Sequence, residues 1–190
     1  MLVWGRYIFS FIFILLLFAI PIIYEYIIFR HKKGKIKFWK GFFRKYGLTR
    51  LEPRQVLYGI LLSFGIFAVN VIFVFIMSLF FKDTASSLAS NLATNFVLMP
   101  IFYSAYLLIS AIAEEFFFRA FLTSYLGIWF SSLIFALLHF SYGSALEIVG
   151  AFILGLILAI IWEKKRNFYI IAIAHFLQNI YSILILIRLI

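Results

Sequence analysis

The sequence has no cysteine and few charged residues. The absence of cysteine among 190 residues excludes disulfides and thiolate chemistry, so any metal would need histidine, carboxylate or amide ligands. Only 13% of the residues are charged, whereas 66% are hydrophobic and the mean hydropathy is +1.11. Such a composition excludes an ordinary soluble domain and is typical of a polytopic membrane protein.

The apolar runs lack the alternating pattern of membrane β-strands, which argues against a β-barrel. Because each spanning helix needs about 20 apolar residues, the chain can hold about six spans. We therefore predict an all-α polytopic bundle in a single integral membrane domain, 1–190, with a motif-bearing core at 95–187. The predicted spans are Tyr7–Phe29, Val56–Phe81, Asn95–Ser124, Ile128–Phe140, Ala145–Trp162 and Phe168–Ile187.

The first apolar run is too long for the core of a signal peptide and leads into basic residues, so we expect it to be retained as a span. The net charge is +10, and ten of the 17 Lys and Arg residues lie between Arg30 and Arg54. Within this stretch, the segment Lys35–Tyr46 has apolar residues at helical spacing, which predicts a basic interfacial helix between spans one and two. Anionic lipid headgroups are the expected partners of this charge, and nucleic acid is not.

The distribution of positive charge predicts the orientation of the bundle. The basic loop 30–54 and the basic turn 163–167 lie on the same side of a six-span chain. Because cytoplasmic loops are enriched in Lys and Arg, we place this side in the cytoplasm and the N-terminus outside. The expected location is the plasma membrane.

Two adjacent carboxylates, Glu114 and Glu115, lie within an apolar run, where charged groups are costly and need partners. Only two histidines, His139 and His175, lie in other apolar segments. With a rise of about 1.5 Å per residue, Glu114, His139 and His175 lie about 15, 18 and 12 Å from the cytoplasmic ends of their helices. We therefore expect them to meet in one site that opens toward the cytoplasm.

Each of these residues has a neighbour four positions away, on the same helical face. Arg119 is predicted to neutralise Glu115, which leaves Glu114 available. The other two pairs are His175 with Asn179 and His139 with Phe135, whose ring could separate the site from lipid.

This set of side chains is suited to peptide hydrolysis. Glu114 could act as the general base or acid and His139 could share the nucleophilic water, while His175 and Asn179 polarise the scissile carbonyl. A zinc site with Glu114, His139 and His175 as ligands and water in the fourth position fits equally well. The sequence has no H-E-x-x-H helix, and spacing alone leaves both versions open.

Three motifs occur in order: Glu-Glu-x-x-x-Arg at 114–119, Phe-x-x-x-His at 135–139 and His-x-x-x-Asn at 175–179. They resemble the motifs of the CPBP (CAAX protease and bacteriocin-processing, Abi) family of intramembrane proteases, which includes the type II CAAX prenyl endopeptidases. The resemblance covers about 106–181 and departs from the family at Ala120, where glycine is usual.

The resemblance implies an α-helical intramembrane endopeptidase that acts on a membrane-associated protein or peptide, of CAAX type or in bacteriocin processing. It implies water activation at Glu114 and His139 and oxyanion stabilisation at His175 and Asn179. Glu115 and the motif arginine would be supporting residues. The family is labelled metallopeptidase, although a metal-free glutamate mechanism has also been proposed for it, and zinc stays open here.

Two other classes of function fit the same residues. In a transporter, intramembrane Glu and His could relay protons or guide ions. In a non-proteolytic immunity or scaffold protein with the same fold, the polar residues would only hold helices together.

Overall fold

The computed structural model describes residues 2–31, 38–48, 50–80, 94, 96–142 and 144–189. Every regular element in this part of the chain is helical, which confirms the predicted all-α bundle. The helices are α1 (Leu2–His31), α2 (Phe38–Lys45), α3 (Pro53–Ser78), α4 (Pro100–Glu114), α5 (Thr123–Leu138), α6 (Ala145–Lys165) and α7 (Phe168–Leu189). A π-helical segment, Glu115–Leu122, joins α4 to α5, and a 3₁₀ turn, His139–Tyr142, follows α5.

Five helical stretches in the described residues are long and apolar enough to cross a membrane, and the third, Pro100–Leu138, bends back on itself. The hydroxyl oxygens of Thr123 and Ser131 lie 2.8 Å apart, whereas a straight helix would separate residues eight positions apart by about 12 Å. The reversal occurs at Gly127, whose φ of 78° is a conformation that glycine adopts without steric cost. The hairpin provides the two passes predicted as spans three and four.

The ends of the helices differ slightly from the predicted ones. α3 begins at Pro53, three residues before the predicted span, because Glu52 and Gln55 form a capping box and proline fits the first helical position. The helix predicted within Lys35–Tyr46 is confirmed as α2, although 35–37 lie outside the described residues. The predicted loop 82–91 and the predicted start of span three at Asn95 also lie outside them.

α7 packs against α3 and α4, while α5 packs along α6. The contact between α5 and α6 is close because Gly155 has no side chain. A Cβ atom added there would lie 3.2 Å from Cβ of Ser132 and 3.4 Å from Cδ1 of Phe135. Small residues allow such close approach between membrane helices. Gly155 therefore fixes the part of α5 that carries the second motif.

α2 is joined to α1 and α5 by hydrogen bonds to one carboxylate oxygen, Oε1 of Glu25 in α1. Lys45 donates to it, and so do the hydroxyls of Tyr46 and Tyr125, each at 2.8 Å. Lys45 also donates to the Tyr125 hydroxyl at 3.0 Å. We call these residues the tyrosine cluster: Glu25, Lys45, Tyr46 and Tyr125.

Two members of the tyrosine cluster, Lys45 and Tyr46, lie outside the spanning helices, and their surroundings shift their pKa values. Burial, together with the hydrogen bond to Glu25, raises the pKa of Tyr46 above its usual range. Burial alone would lower the pKa of Lys45, but its hydrogen bonds to Glu25 and Tyr125 outweigh this effect and raise that pKa. At neutral pH the cluster therefore contains a charged lysine and neutral tyrosine hydroxyls.

Candidate active site

The first motif lies where the α-helix widens into the π-helical segment. The backbone N–H and the hydroxyl of Thr123 both donate to the carbonyl of Phe118, five residues earlier, and the hydroxyl bond is 2.9 Å long. π-Helical turns occur rarely and frequently at functional sites. Here the turn contains Glu115 and Arg119, and Glu114 is the last residue of α4.

Glu115 is fully buried and connects two helices through one oxygen. Its Oε1 lies 2.7 Å from Nδ1 of His175 on α7 and 3.3 Å from Nη1 of Arg119. Because a carboxylate can only accept, we assign the Nδ1 proton to His175, so that its Nε2 faces the other side. The predicted pairing of Glu115 with Arg119 is confirmed.

Arg119 is only 1% exposed, and its Cζ lies 4.0 Å from the centre of the Phe135 ring. The guanidinium forms no hydrogen bond to any residue that the structure describes. Its charge is therefore balanced by the ion pair with Glu115 and by the face of an aromatic ring. Phe135 also contacts the rings of His139 and His175, with centroids 4.6 and 5.9 Å away, so it packs within the site.

Glu114 differs from Glu115 in its partners and its exposure. Its Oε1 accepts a 2.6 Å hydrogen bond from the hydroxyl of Ser110, one turn earlier on α4. Its Oε2 lies 3.8 Å from Nε2 of His175, and the side chain is 18% exposed. That separation is too long for a direct hydrogen bond and is one that a single water molecule can bridge.

His139 begins the turn after α5 and is half-buried. Its Nδ1 lies 2.8 Å from the carbonyl oxygen of Phe135, and we assign the proton to that nitrogen because a carbonyl only accepts. The ring is close enough to Glu114, His175 and Arg119 to interact with them electrostatically. The structure therefore places the second motif beside the other two.

Asn179 lies one turn after His175 on α7 and is half-buried. No other described residue is a hydrogen-bond partner of its side-chain amide. The structure thus brings Glu114, Glu115, Arg119, Phe135, His139 and His175 together and places Asn179 on the same helix face as His175. Their catalytic roles stay predictions.

The zinc hypothesis requires three ligands around one point. No group of three His, Asp or Glu residues close enough to hold a metal occurs within the described ranges. Nε2 of His175 faces Glu114, and Nδ1 of the same ring is hydrogen-bonded to Glu115. Zinc binding by Glu114, His139 and His175 stays a prediction.

The sequence did not indicate two contacts of this site. One is the Ser110 hydrogen bond, although its spacing of four residues from Glu114 was a visible signal. The other is the bond between Glu115 and His175, for which adjacent glutamates offer no signal. Which of the two glutamates reaches α7 depends on the rotation of the helix.

Comparison with known proteins supports the predicted family. Residues 95–181 match the family described as type II CAAX prenyl endopeptidase Rce1-like. This match confirms the resemblance predicted from the three motifs, which all lie within it. The matched part contains α4 to α6 and most of α7, whereas α1 to α3 lie outside it.

A curated relative is the "Uncharacterized protein YpbD" of Bacillus subtilis (strain 168), which is 38% identical over 71 residues. The similar segment is 37% of this chain and 38% of the relative, so well under two thirds of that protein is covered. No solved structure matches the chain.

Proposed function

We propose that this chain, an integral membrane protein whose residues 95–181 match the type II CAAX prenyl endopeptidase family, is an intramembrane endopeptidase. The observation that carries the proposal is the 3.8 Å separation between Oε2 of Glu114 and Nε2 of His175. A water molecule held there would contact both a base and a polarising group.

In the proposed reaction, Glu114 takes a proton from this water, which attacks the carbonyl carbon of the scissile peptide bond. His139, with its Nε2 as acceptor, assists Glu114 in orienting the water. The peptide carbonyl becomes an oxyanion, which the Asn179 amide stabilises together with His175, whose Nε2 donates to it in the doubly protonated imidazolium form. Collapse of the tetrahedral intermediate breaks the C–N bond, and Glu114 passes the proton to the leaving amine.

Glu115 and Arg119 hold His175 in place. The 2.7 Å bond from Nδ1 of His175 to Glu115 fixes the ring and its tautomer, and Arg119 balances the charge of Glu115. This is the role that a carboxylate has toward the histidine of many hydrolases. Phe135 closes the site on the α5 side by packing against both histidine rings.

The proposed substrate is a membrane-associated protein or peptide, either of CAAX type or in bacteriocin and peptide processing. We place the protein in the plasma membrane, with the site opening toward the cytoplasm and the N-terminus outside. The exposed cations of α2 and of the last turn of α6 would then lie beside anionic headgroups; they are Lys40, Arg44, Lys164 and Lys165. The family match is the support for this substrate class.

The test is cleavage of prenylated and unprenylated peptide libraries by purified protein in lipid nanodiscs. We expect wild type to cleave, and Glu114→Ala and His139→Ala to abolish cleavage. Glu163→Gln, which changes a carboxylate paired with Arg166 at a helix end, is the matched control and should cleave normally. Cleavage that survives both alanine substitutions would refute the proposal.

Two further measurements distinguish the zinc version of the site and the alternative functions. A chelator that abolishes cleavage, with recovery on adding Zn²⁺, would favour the zinc version of the site. The line of groups from Glu114 through His175 to Glu115 could also relay protons, which predicts pH-dependent flux in liposomes without peptide cleavage. A non-proteolytic immunity or scaffold protein would show neither activity.

A further inference from the structure

We infer that Ser110 is a positioning residue for Glu114, a role that rests on the proposed function of that carboxylate. The Ser110 hydroxyl donates a 2.6 Å hydrogen bond to Oε1 of Glu114. Ser110 lies outside the three motifs and precedes Glu114 by one helical turn. It is half-buried on α4, so water competes weakly for its hydroxyl.

The hydrogen bond makes the two oxygens of Glu114 different. Oε1 is occupied by Ser110, whereas Oε2 is directed toward His175 at 3.8 Å. A glutamate side chain has three rotatable bonds, and without a second contact its carboxylate could turn away from α7. The serine therefore selects the rotamer in which one oxygen faces the proposed water.

The direction of the bond fits this role. Ser110 lies about 6 Å along the helix from Glu114, on the side away from the π-helical segment. It holds the carboxylate from that side, while His175 faces it from α7. A hydrogen bond to a charged acceptor is among the stronger hydrogen bonds in proteins, so it can keep the carboxylate in place.

Within the described part of the chain, Glu115 is not held by a hydroxyl group. Its Oε1 is bound by His175 and Arg119, and its Oε2 forms no hydrogen bond with another described residue. The two adjacent carboxylates are thus held by different means, Glu114 by a neutral hydroxyl and Glu115 by a cation and an imidazole. Only Glu114 is held so that its second oxygen faces the space between Glu114 and Nε2 of His175.

Kinetics of the purified protein in nanodiscs provide the first test. Ser110→Ala should lower kcat for peptide cleavage about tenfold to a hundredfold with little change in KM, since the serine acts through the Glu114 carboxylate. Ser110→Thr keeps a hydroxyl and should stay within about threefold of wild type. Ser104→Ala, a half-buried serine on the same helix, is the matched control and should match wild type.

An infrared measurement tests the hydrogen bond without relying on activity. The carboxylate stretching band that disappears in Glu114→Gln should shift in Ser110→Ala and keep its position in Ser110→Thr and Ser104→Ala. If wild type cleaves no peptide, the proposed function fails, and this band still decides the inference. An unchanged band in Ser110→Ala, or a kcat equal to that of Ser104→Ala, would overturn it.

Discussion

In each of two polar clusters of this molecule, one glutamate oxygen contacts several partners, but the two clusters differ in their exposure to water. In the tyrosine cluster, Oε1 of Glu25 accepts hydrogen bonds from a lysine and two tyrosines. In the second, which we call the motif cluster, Oε1 of Glu115 is shared by an arginine and a histidine; its members are Glu114, Glu115, Arg119 and His175. The side chain of Glu25 is 12% exposed and that of its lysine partner 40%, whereas Glu115 and Arg119 are 0% and 1% exposed.

The difference in exposure indicates that the tyrosine cluster has a structural role, whereas the motif cluster is the candidate catalytic site. In the tyrosine cluster water reaches Lys45, so the ion pair between Lys45 and Glu25 contributes little to stability. In the motif cluster Glu115 and Arg119 are shielded from water, so removing either of them leaves an uncompensated charge. The motif cluster also has a partly exposed carboxylate whose second oxygen faces His175 at 3.8 Å, Oε2 of Glu114.

The largest effect is expected from Glu115→Leu, which leaves Arg119 buried without its counter-charge and His175 without its acceptor. The free energy of unfolding should fall by about 3–5 kcal/mol, and cleavage should be lost. The double variant Glu115→Leu/Arg119→Met removes both charges and should recover most of the stability but no cleavage. Unfolding in mixed detergent micelles measures the first quantity, and a single variant as stable as wild type would refute this prediction.

A smaller effect is expected where α6 packs on α5. Gly155→Leu would push against Ser132 and Phe135, cost about 1–3 kcal/mol of stability and lower cleavage by more than about tenfold, because His139 is displaced. Gly150→Leu on the same helix is the matched control, since a Cβ there meets only Phe73, at 3.8 Å. Equal losses of activity in both variants would show that the close contact does not position the site.

Thr123→Val tests the π-helical segment. The variant loses the hydroxyl bonds to the Phe118 carbonyl and to Ser131, so stability should fall by about 1 kcal/mol and cleavage by a few-fold. Thr123→Ser retains the hydroxyl and should behave as wild type. If valine proves neutral in both stability and cleavage assays, the hydroxyl does not support the segment.

The smallest effect at neutral pH is expected in the tyrosine cluster. The pKa values of Lys45 and Tyr46 are both raised in the folded state, so their contribution to stability is present below about pH 10 and is lost as the pH rises further. The unfolding temperature should therefore be flat from about pH 7 to 9 and fall above about pH 10. Tyr46→Phe should flatten this decline, and an unchanged profile would argue against the assignment.

The sequence predicted the features that depend on hydropathy and spacing. Continuous apolar runs placed the helices, and the reversal near Gly127 together with the depth estimates brought Glu114, His139 and His175 to one region. The spacing of four residues also predicted the pairing of Arg119 with Glu115. These predictions succeed because each helical residue advances by a nearly constant rise, so that position along a spanning helix converts to depth.

Other contacts depend on rotation and on residues distant in the sequence, and these could not be predicted. The π-helical segment alters the rotation of the first motif, so the sequence could not indicate that Glu115 is the acceptor for His175. The role of Glu25 could not be predicted from the sequence because its partner Tyr125 lies 100 residues away. No local pattern marks such a pair.

The most direct measurement compares the two clusters in one cleavage assay. Glu114→Gln and Glu25→Gln each remove one carboxylate charge and leave a side chain of similar size. If the motif cluster is the hydrolytic site, Glu114→Gln should lower kcat about 100- to 10,000-fold, while Glu25→Gln should cleave at close to the wild-type rate. Equal rates for the two variants, on any peptide that wild type cleaves, would contradict the account.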